Sequence, residues 1–176
     1  MTNLSRRQAL KQFVVVSAGM AIIPSCMQDR SKSNLLLKKL KVNPADEAML
    51  SELCETIIPK TDTPGAKDLS AHLFVLMMID ECSKKEDQDA FVNGIKSFNE
   101  FNKQTINKSF SDANQDERDT VLKNIFLIKD ENSPVLTFLN DVKKRTIQAY
   151  TSSEFFLTKV QVYELIPGRY HGCISA

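Results

Sequence analysis

The sequence predicts an all-α fold: a helical bundle of about five helices with an irregular C-terminal tail, preceded by a signal segment and a tether. Apolar residues recur at helical spacing in successive segments, and Asn or Ser directly before Pro marks two helix starts. No period-2 run bounded by hairpin turns stands out, and five Gly with no Trp argue against a Gly-punctuated β-sandwich.

The chain divides into three regions. Residues 1–25 are predicted to be a twin-arginine signal peptide with a lipobox at Cys26. Residues 26–42 are predicted to be a tether, because a polar stretch is followed by mixed Leu and Lys. Residues 43–176 are predicted to form the helical domain, and the roughly 150 residues that remain after removal of 1–25 fit one domain.

The first helix of the domain is predicted to begin at Pro44. Asn43 can cap it and Asp46 places an acid in its first turn, while Pro59 ends it. The residues expected to face inward are Met49, Leu50, Leu53, Ile57 and Ile58.

The second helix is predicted at about 69–83, with Asp68 as its cap. Its centre, Leu73 to Ile79, is apolar on nearly all sides. Because a surface helix normally shows a polar face, this pattern predicts the central helix of the bundle.

Three more helices follow. The third runs from about Glu86 to Asn107 and has a charged outer face. Asn114 and Glu117 fit a capping box for the fourth, and Ser133-Pro134 opens the fifth. Thr151 to Ala176 should be mostly irregular. The residues expected to face inward are Phe91, Ile95, Phe98, Ile106, Val121, Leu122, Ile125, Phe126, Val135, Phe138, Leu139, Val142 and Ile147.

The leader indicates how the chain is exported. A paired arginine precedes an apolar run, Phe13 to Ile23, which is typical of the route that carries folded proteins. An ordinary secretory signal with a basic start is the alternative. The run falls short of the roughly 20 residues that span a bilayer. The residues assigned to the export signal are Ser5, Arg6, Arg7, Leu10 and Lys11.

Cys26 is a candidate for lipidation. Ile23 to Cys26 resembles a lipobox, although Pro24 fits the pattern imperfectly. A lipidated Cys26 would become the mature N-terminus and hold the protein on a membrane through its acyl chains. These signals together predict a periplasmic, membrane-anchored protein.

Charge and composition exclude one class of partner. Removing residues 1–25, with three basic and no acidic residues, lowers the formal charge from +1 to −2. The chain has no basic stripe with interleaved aromatic residues, so we expect no nucleic-acid binding.

The cysteines and histidines point to no catalytic or metal site. With Cys26 lipidated, Cys54, Cys82 and Cys173 remain, an odd number that suggests a free thiol or a bridge to another chain. Cys54 and Cys82 are equally well explained as small buried residues on helices. His72 lies on the apolar helix, where a satisfied core or interface histidine is the usual finding, and His171 lies in the tail.

Asp80 and Glu81 are consecutive and do not share a helix face, so we expect them to cap or solvate the helix end. The chain has no GxGxxG, P-loop or GxSxG motif. We therefore predict no catalytic, cofactor-binding or metal-binding residue in this chain.

Two segments, with the leader, resemble a known family. The first is Leu53 to Ala66, and the second is Thr146 to Glu154 with the ending Tyr163 to Cys173. Their order and spacing resemble the small subunit, called subunit 3 or gamma, of membrane-bound gluconate 2-dehydrogenase. The likeness spans residues 44–173, while Cys26 is not part of the family pattern.

The resemblance implies a non-catalytic partner of a flavin-dependent oxidoreductase of the glucose–methanol–choline type. In such complexes the flavoprotein large subunit holds FAD and oxidises a sugar or polyol, and a c-type cytochrome often relays the electrons. The small subunit helps the large one to mature and carries it through the export machinery. The alternative is an unrelated lipid-anchored periplasmic helical binding module.

The C-terminal tail is the predicted contact with the large subunit. Cys173 would bridge to that subunit or pack against it, and Tyr163 and Tyr170 would act as aromatic anchors. Pro167 and Gly168 belong to the same tail. The alternative is that both tyrosines attach the tail to the helices of this domain.

Overall fold

The computed structural model describes residues 37–161 of the chain. Within that range it contains helices and no strand, which confirms the all-α prediction. The elements in chain order are α1 (Pro44–Ile57), α2 (Ala71–Cys82), α3 (Lys85–Ile106), α4 (Gln115–Phe126), α5 (Pro134–Thr151) and a π-helical turn (Phe156–Val160).

Two predicted helix starts are confirmed in atomic detail. The Asn43 side chain accepts a hydrogen bond from the Asp46 N–H at 2.8 Å, and Pro44 occupies the first turn of α1. At α4, Asn114 and Glu117 form a reciprocal capping box in which both hydrogen bonds measure 2.9 Å. Local side-chain chemistry therefore sets these boundaries.

The start of α2 differs from the prediction. Asp68 does not cap this helix; its carboxylate accepts from the Gly65 N–H and pairs with Lys60 at 3.0 Å. A turn over residues 66–70 intervenes, and Ser70 adopts a left-handed conformation with φ 52°. Ser133 also makes no side-chain cap, so Pro134 alone bears out the predicted start of α5.

The hydrophobic core is organised around α5, which packs against every other element, and not around α2. The rings of Phe98 and Phe110 lie 5.2 Å apart, and those of Phe98 and Phe138 lie 5.6 Å apart. α3 approaches α5 closely at Gly94, where an added Cβ would lie 2.6 Å from the Cβ of Phe138. Gly94 thus permits this close approach of the two helices.

The prediction that α2 is the central helix is wrong, and one of its sides is exposed. Its inner residues Val75, Leu76 and Ile79 are buried, but Met77 is 49% exposed. Two other residues expected to face inward are also exposed: Phe126, beneath the Lys143 ammonium group, and Ile147. The helical period identified the buried face of each helix, but it also assigned to that face one residue that is exposed in α2, in α4 and in α5.

The last part of the predicted tether contacts the helical domain. The carboxylate of Asp80, on α2, accepts the backbone N–H groups of Lys38, Lys39 and Leu40 at 2.9, 2.7 and 2.6 Å. Asp80 is 2% exposed, and burial alone would raise its pKa. The three donors outweigh burial and hold the pKa below its usual value. Asp80 therefore secures the incoming chain and does not cap α2.

Candidate partner-binding surface

The two sequence segments that carry the family resemblance meet in the folded domain. The Thr146 hydroxyl donates to the sulfur of Cys54 at 3.2 Å, which joins α5 to α1. One helical turn later, the Tyr150 hydroxyl lies 3.5 Å from that of Thr63. We call this region, residues 53–66 and 146–154, the motif junction.

The Glu55 carboxylate holds the loop of the motif junction at two points. Glu55 accepts the backbone N–H of Lys60 through Oε1 and that of Lys67 through Oε2, both at 2.9 Å. A Cβ at Gly65 would lie 2.5 Å from each of these oxygens and 2.7 Å from the Lys60 nitrogen. The glycine in this segment therefore has a structural cause, because only a residue without a side chain fits between Glu55 and the Lys60 nitrogen.

An aromatic cluster closes the end of α5. The Tyr150 ring lies 6.4 Å from that of Phe155 and 6.1 Å from that of Phe156, both in edge-on geometry. Beside it lies an open groove of about 690 Å³. Its lining residues are Leu69, Phe74, Ala149, Ser152, Ser153, Glu154, Phe155, Thr158 and Lys159.

α2 continues this surface with apolar residues. Leu73 and Phe74 are half-buried and Met77 is exposed, and none of the three belongs to the buried core. We call these three residues the α2 outer face. Exposed apolar residues that adjoin one another, next to a groove, are typical of a surface that contacts another protein. Met adapts its shape readily to a partner.

The cysteines in the described range have different environments. Cys54 is buried and unpaired, and burial raises the pKa of its thiol to about 11. At neutral pH it is a protonated, unreactive part of the core, as one interpretation predicted. Cys82 is unpaired and exposed at the end of α2, so the interpretation of a small buried residue is wrong for it.

His72 is not the satisfied histidine that was expected. Its Nδ1 is buried without a hydrogen-bond partner, and burial lowers the pKa of the imidazole although the Glu47 charge acts in the opposite direction. The ring is therefore neutral at pH 7. Glu47, on the neighbouring α1, also has one buried oxygen without a partner.

Several predicted site residues lie outside the described range. These are the export signal (Ser5, Arg6, Arg7, Leu10 and Lys11), the lipidation residue Cys26, and the tail residues Tyr163, Pro167, Gly168, Tyr170 and Cys173. Between residues 37 and 161, no group of three or more His, Cys, Asp or Glu residues is placed to hold a metal ion. In the same range, no helix is long and apolar enough to span a membrane.

Sequence reasoning missed the residues that build this surface. The carboxylate of Glu55 and the contact of Tyr150 with Thr63 depend on chain segments that are distant in sequence. One signal was present, because α2 lacks a polar face. A helix without a polar face is either enclosed by its own domain or covered by another protein, and the sequence alone does not distinguish the two.

A comparison with protein families gives a match that covers most of the chain. A family model described as gluconate 2-dehydrogenase subunit 3 matches residues 44–168, which includes the whole motif junction and all five α-helices of the described range. Comparison with curated proteins gave no match, and comparison with solved structures gave none either.

Proposed function

Because the chain belongs to the gluconate 2-dehydrogenase subunit 3 family, we propose that it is the accessory subunit of a membrane-associated, FAD-dependent sugar or polyol dehydrogenase. The match over residues 44–168 carries this proposal. Membership makes the chain a subunit of a dehydrogenase complex. The finer proposal is that a flavoprotein of the glucose–methanol–choline type holds FAD and performs the oxidation, with a c-type cytochrome as a further partner.

The leader supports a role in export and maturation. Arg6 and Arg7 precede an apolar run, a pattern typical of export in the folded state. A flavoprotein must fold around its FAD before it crosses the membrane by this route. A small subunit that carries the signal and binds the folded large subunit would deliver both to the periplasm.

The α2 outer face and the adjoining groove are the proposed contact with the large subunit. Phe74 belongs to both, and Met77 extends the apolar surface along α2. An apolar, adaptable surface beside an aromatic cluster fits a stable interface between subunits, whose centre is depleted of charge.

Cys26 supports a second role, as the membrane anchor of the complex. Lipidation there would place the dehydrogenase at the membrane surface, where the electrons leave the flavin. The acyl chains of a lipidated N-terminus hold a protein stably, whereas a single chain gives marginal binding.

The proposal is tested by isolating the full chain with an affinity tag from the membrane fraction of its native host and recording the flavin spectrum of the eluate. We expect a larger protein to co-elute with bound FAD, whose absorption a substrate sugar or polyol bleaches. A colourless chain that elutes alone would overturn the proposal.

A further inference from the structure

A second exposed apolar surface is formed by the end of α4 and the middle of α5. Phe126 ends α4 and is 47% exposed, Leu127 follows it and is 76% exposed, and Ile147 is exposed on α5. The Lys143 ammonium group lies 5.2 Å from the centre of the Phe126 ring, and Ile147 follows Lys143 by one helical turn. These residues of α4 and α5 therefore form one continuous surface.

Lysines surround this apolar surface. Lys123 lies one helical turn before Phe126 on α4, and Lys143 and Lys144 lie one turn before Ile147 on α5. All three lysines are exposed, and within residues 37–161 none of them takes part in an ion pair. We call the following residues the basic–apolar patch: Phe126, Leu127, Ile147, Lys123, Lys143 and Lys144.

The charge of this region differs from that of the chain as a whole. Residues 120–131 and 140–148, which contain the patch, carry five basic and three acidic side chains and hence a formal charge of +2. The chain without residues 1–25 has a formal charge of −2. Asp141 is also paired with Arg145 at 3.1 Å and does not neutralise the patch lysines. The patch therefore favours a partner that carries negative charge.

The composition of the patch fits a lipid surface better than a protein interface. Lysine is depleted at the centres of interfaces between proteins. At a membrane surface, by contrast, lysines attract anionic headgroups and their alkyl stems cover apolar surface, while Phe and Leu enter the boundary between headgroups and acyl chains. The α2 outer face contains no charged residue, so the two exposed apolar surfaces suit different partners.

We propose that the basic–apolar patch binds the surface of a membrane that contains anionic lipids, with Phe126 and Leu127 entering the headgroup layer. This contact rests on the membrane association in the proposed function and adds an orientation to it. The ten residues 27–36 reach about 35 Å when fully extended, which is close to the diameter of a domain of this size. A lipidated Cys26 alone would therefore limit the distance of the domain from the membrane without selecting the side that faces it.

The chain contains no Trp, so a single introduced Trp reports on its own surroundings. Phe126→Trp keeps an aromatic ring beside Lys143, and Met77→Trp, at a position that is 49% exposed on the α2 outer face, is the matched control. The full chain, produced without the other subunits, is mixed with vesicles of phosphatidylglycerol and phosphatidylcholine whose acyl chains carry bromine near the headgroup. We expect the fluorescence of Phe126→Trp to fall at least about twofold, because a residue bound in the interface lies roughly 5–10 Å into the boundary that contains the bromine. The fluorescence of Met77→Trp should stay constant.

The lysines are tested in the same assay. Adding Lys123→Gln, Lys143→Gln and Lys144→Gln to the Phe126→Trp chain should restore most of the fluorescence, because the attraction to anionic headgroups is lost. Vesicles of phosphatidylcholine alone should do the same. If Phe126→Trp lowers the urea midpoint of the chain, Leu127→Trp, which lies outside the core, serves as the reporter.

The control for charge removes three lysines that are exposed at other positions. Lys84→Gln, Lys96→Gln and Lys103→Gln together should leave the quenching of Phe126→Trp unchanged. Equal quenching of Phe126→Trp and Met77→Trp, quenching that survives loss of the patch lysines, or an unquenched patch reporter would overturn the inference. An unquenched reporter is also the outcome expected if the patch binds an acidic protein.

The inference and the proposed function fail in different measurements. The patch residues neither line the groove nor belong to the α2 outer face, so their variants should recover the large subunit as the wild type does. A chain that elutes without a flavoprotein would overturn the proposed function, whereas the fluorescence on anionic vesicles alone decides whether the patch binds lipid.

Discussion

The carboxylate of Glu55 occupies the space in which a side chain at Gly65 would begin. Both of its oxygens lie 2.5 Å from the position of a Cβ at residue 65, and each also accepts a backbone N–H from the same loop. The loop conformation and the absence of a side chain at Gly65 therefore depend on each other. This relationship explains a glycine in the family motif without any role in catalysis.

Gly65→Ala should destabilise the domain. The new methyl group must displace Glu55 and break hydrogen bonds to a charged acceptor, which costs about 1.5–3 kcal/mol. Urea denaturation of the chain without its leader measures the change. In the double variant Glu55→Ala/Gly65→Ala the clash with the carboxylate disappears and only the close approach to the Lys60 nitrogen remains, so the loss should be smaller than the sum of the single losses. Additive losses would contradict the proposed clash.

Asp80 should make stability depend on pH in the acid range. Its pKa is lowered in the folded state from the usual value of 3.8, so in acid the unfolded chain binds the proton first. Its contribution is complete above the unfolded pKa and is lost as the pH falls through the folded pKa. Asp80→Asn should cost about 1.5–3 kcal/mol at pH 7 and flatten this part of the profile. Urea midpoints against pH test this, and an unchanged acid slope would contradict it.

Met77→Glu should weaken association and leave the fold intact. Met77 is 49% exposed, so the free energy of unfolding should change by less than about 0.5 kcal/mol. A buried charge in the interface should reduce recovery of the large subunit at least about tenfold. Leu127→Glu is the matched control, because Leu127 is 76% exposed in the loop after α4. Equal recovery for both variants would exclude the α2 outer face as the contact with the large subunit.

The role of the arginine pair in export can be tested without changing the charge of the leader. Arg6→Lys/Arg7→Lys keeps the basic start that an ordinary secretory signal needs but removes the arginine pair. We expect both this chain and the flavoprotein to stay in the cytoplasm, as measured by fractionation and flavin absorption. Arg30→Lys, beyond Cys26, should leave export unchanged. Normal export of the double lysine variant would show that the leader is an ordinary secretory signal.

Features encoded within a few residues were predicted well. Asn43 and the Asn114–Glu117 pair mark their helix starts because a cap involves only neighbours in sequence. Inward stripes such as Phe91, Ile95 and Phe98 follow from the helical period alone. The same reasoning correctly gave an all-α fold.

Features that depend on distant contacts were not predictable. Asp68 resembled a cap, but the turn after Gly65 directs its carboxylate to Lys60. Asp80 resembled a solvated helix end, yet its partners are about 40 residues earlier in the chain, at Lys38 to Leu40.

The hydrogen bonds of Asp80 also determine where mechanical tension enters the domain. If Cys26 is fixed to a membrane, a pull on the complex is transmitted along the chain to Lys38–Leu40 and from there to the carboxylate on α2. The three bonds lie between residue 26 and the cap of α1 at Asn43, so the load meets them before it meets the cap. Under the proposed function, α2 would then bear both the partner and the anchor.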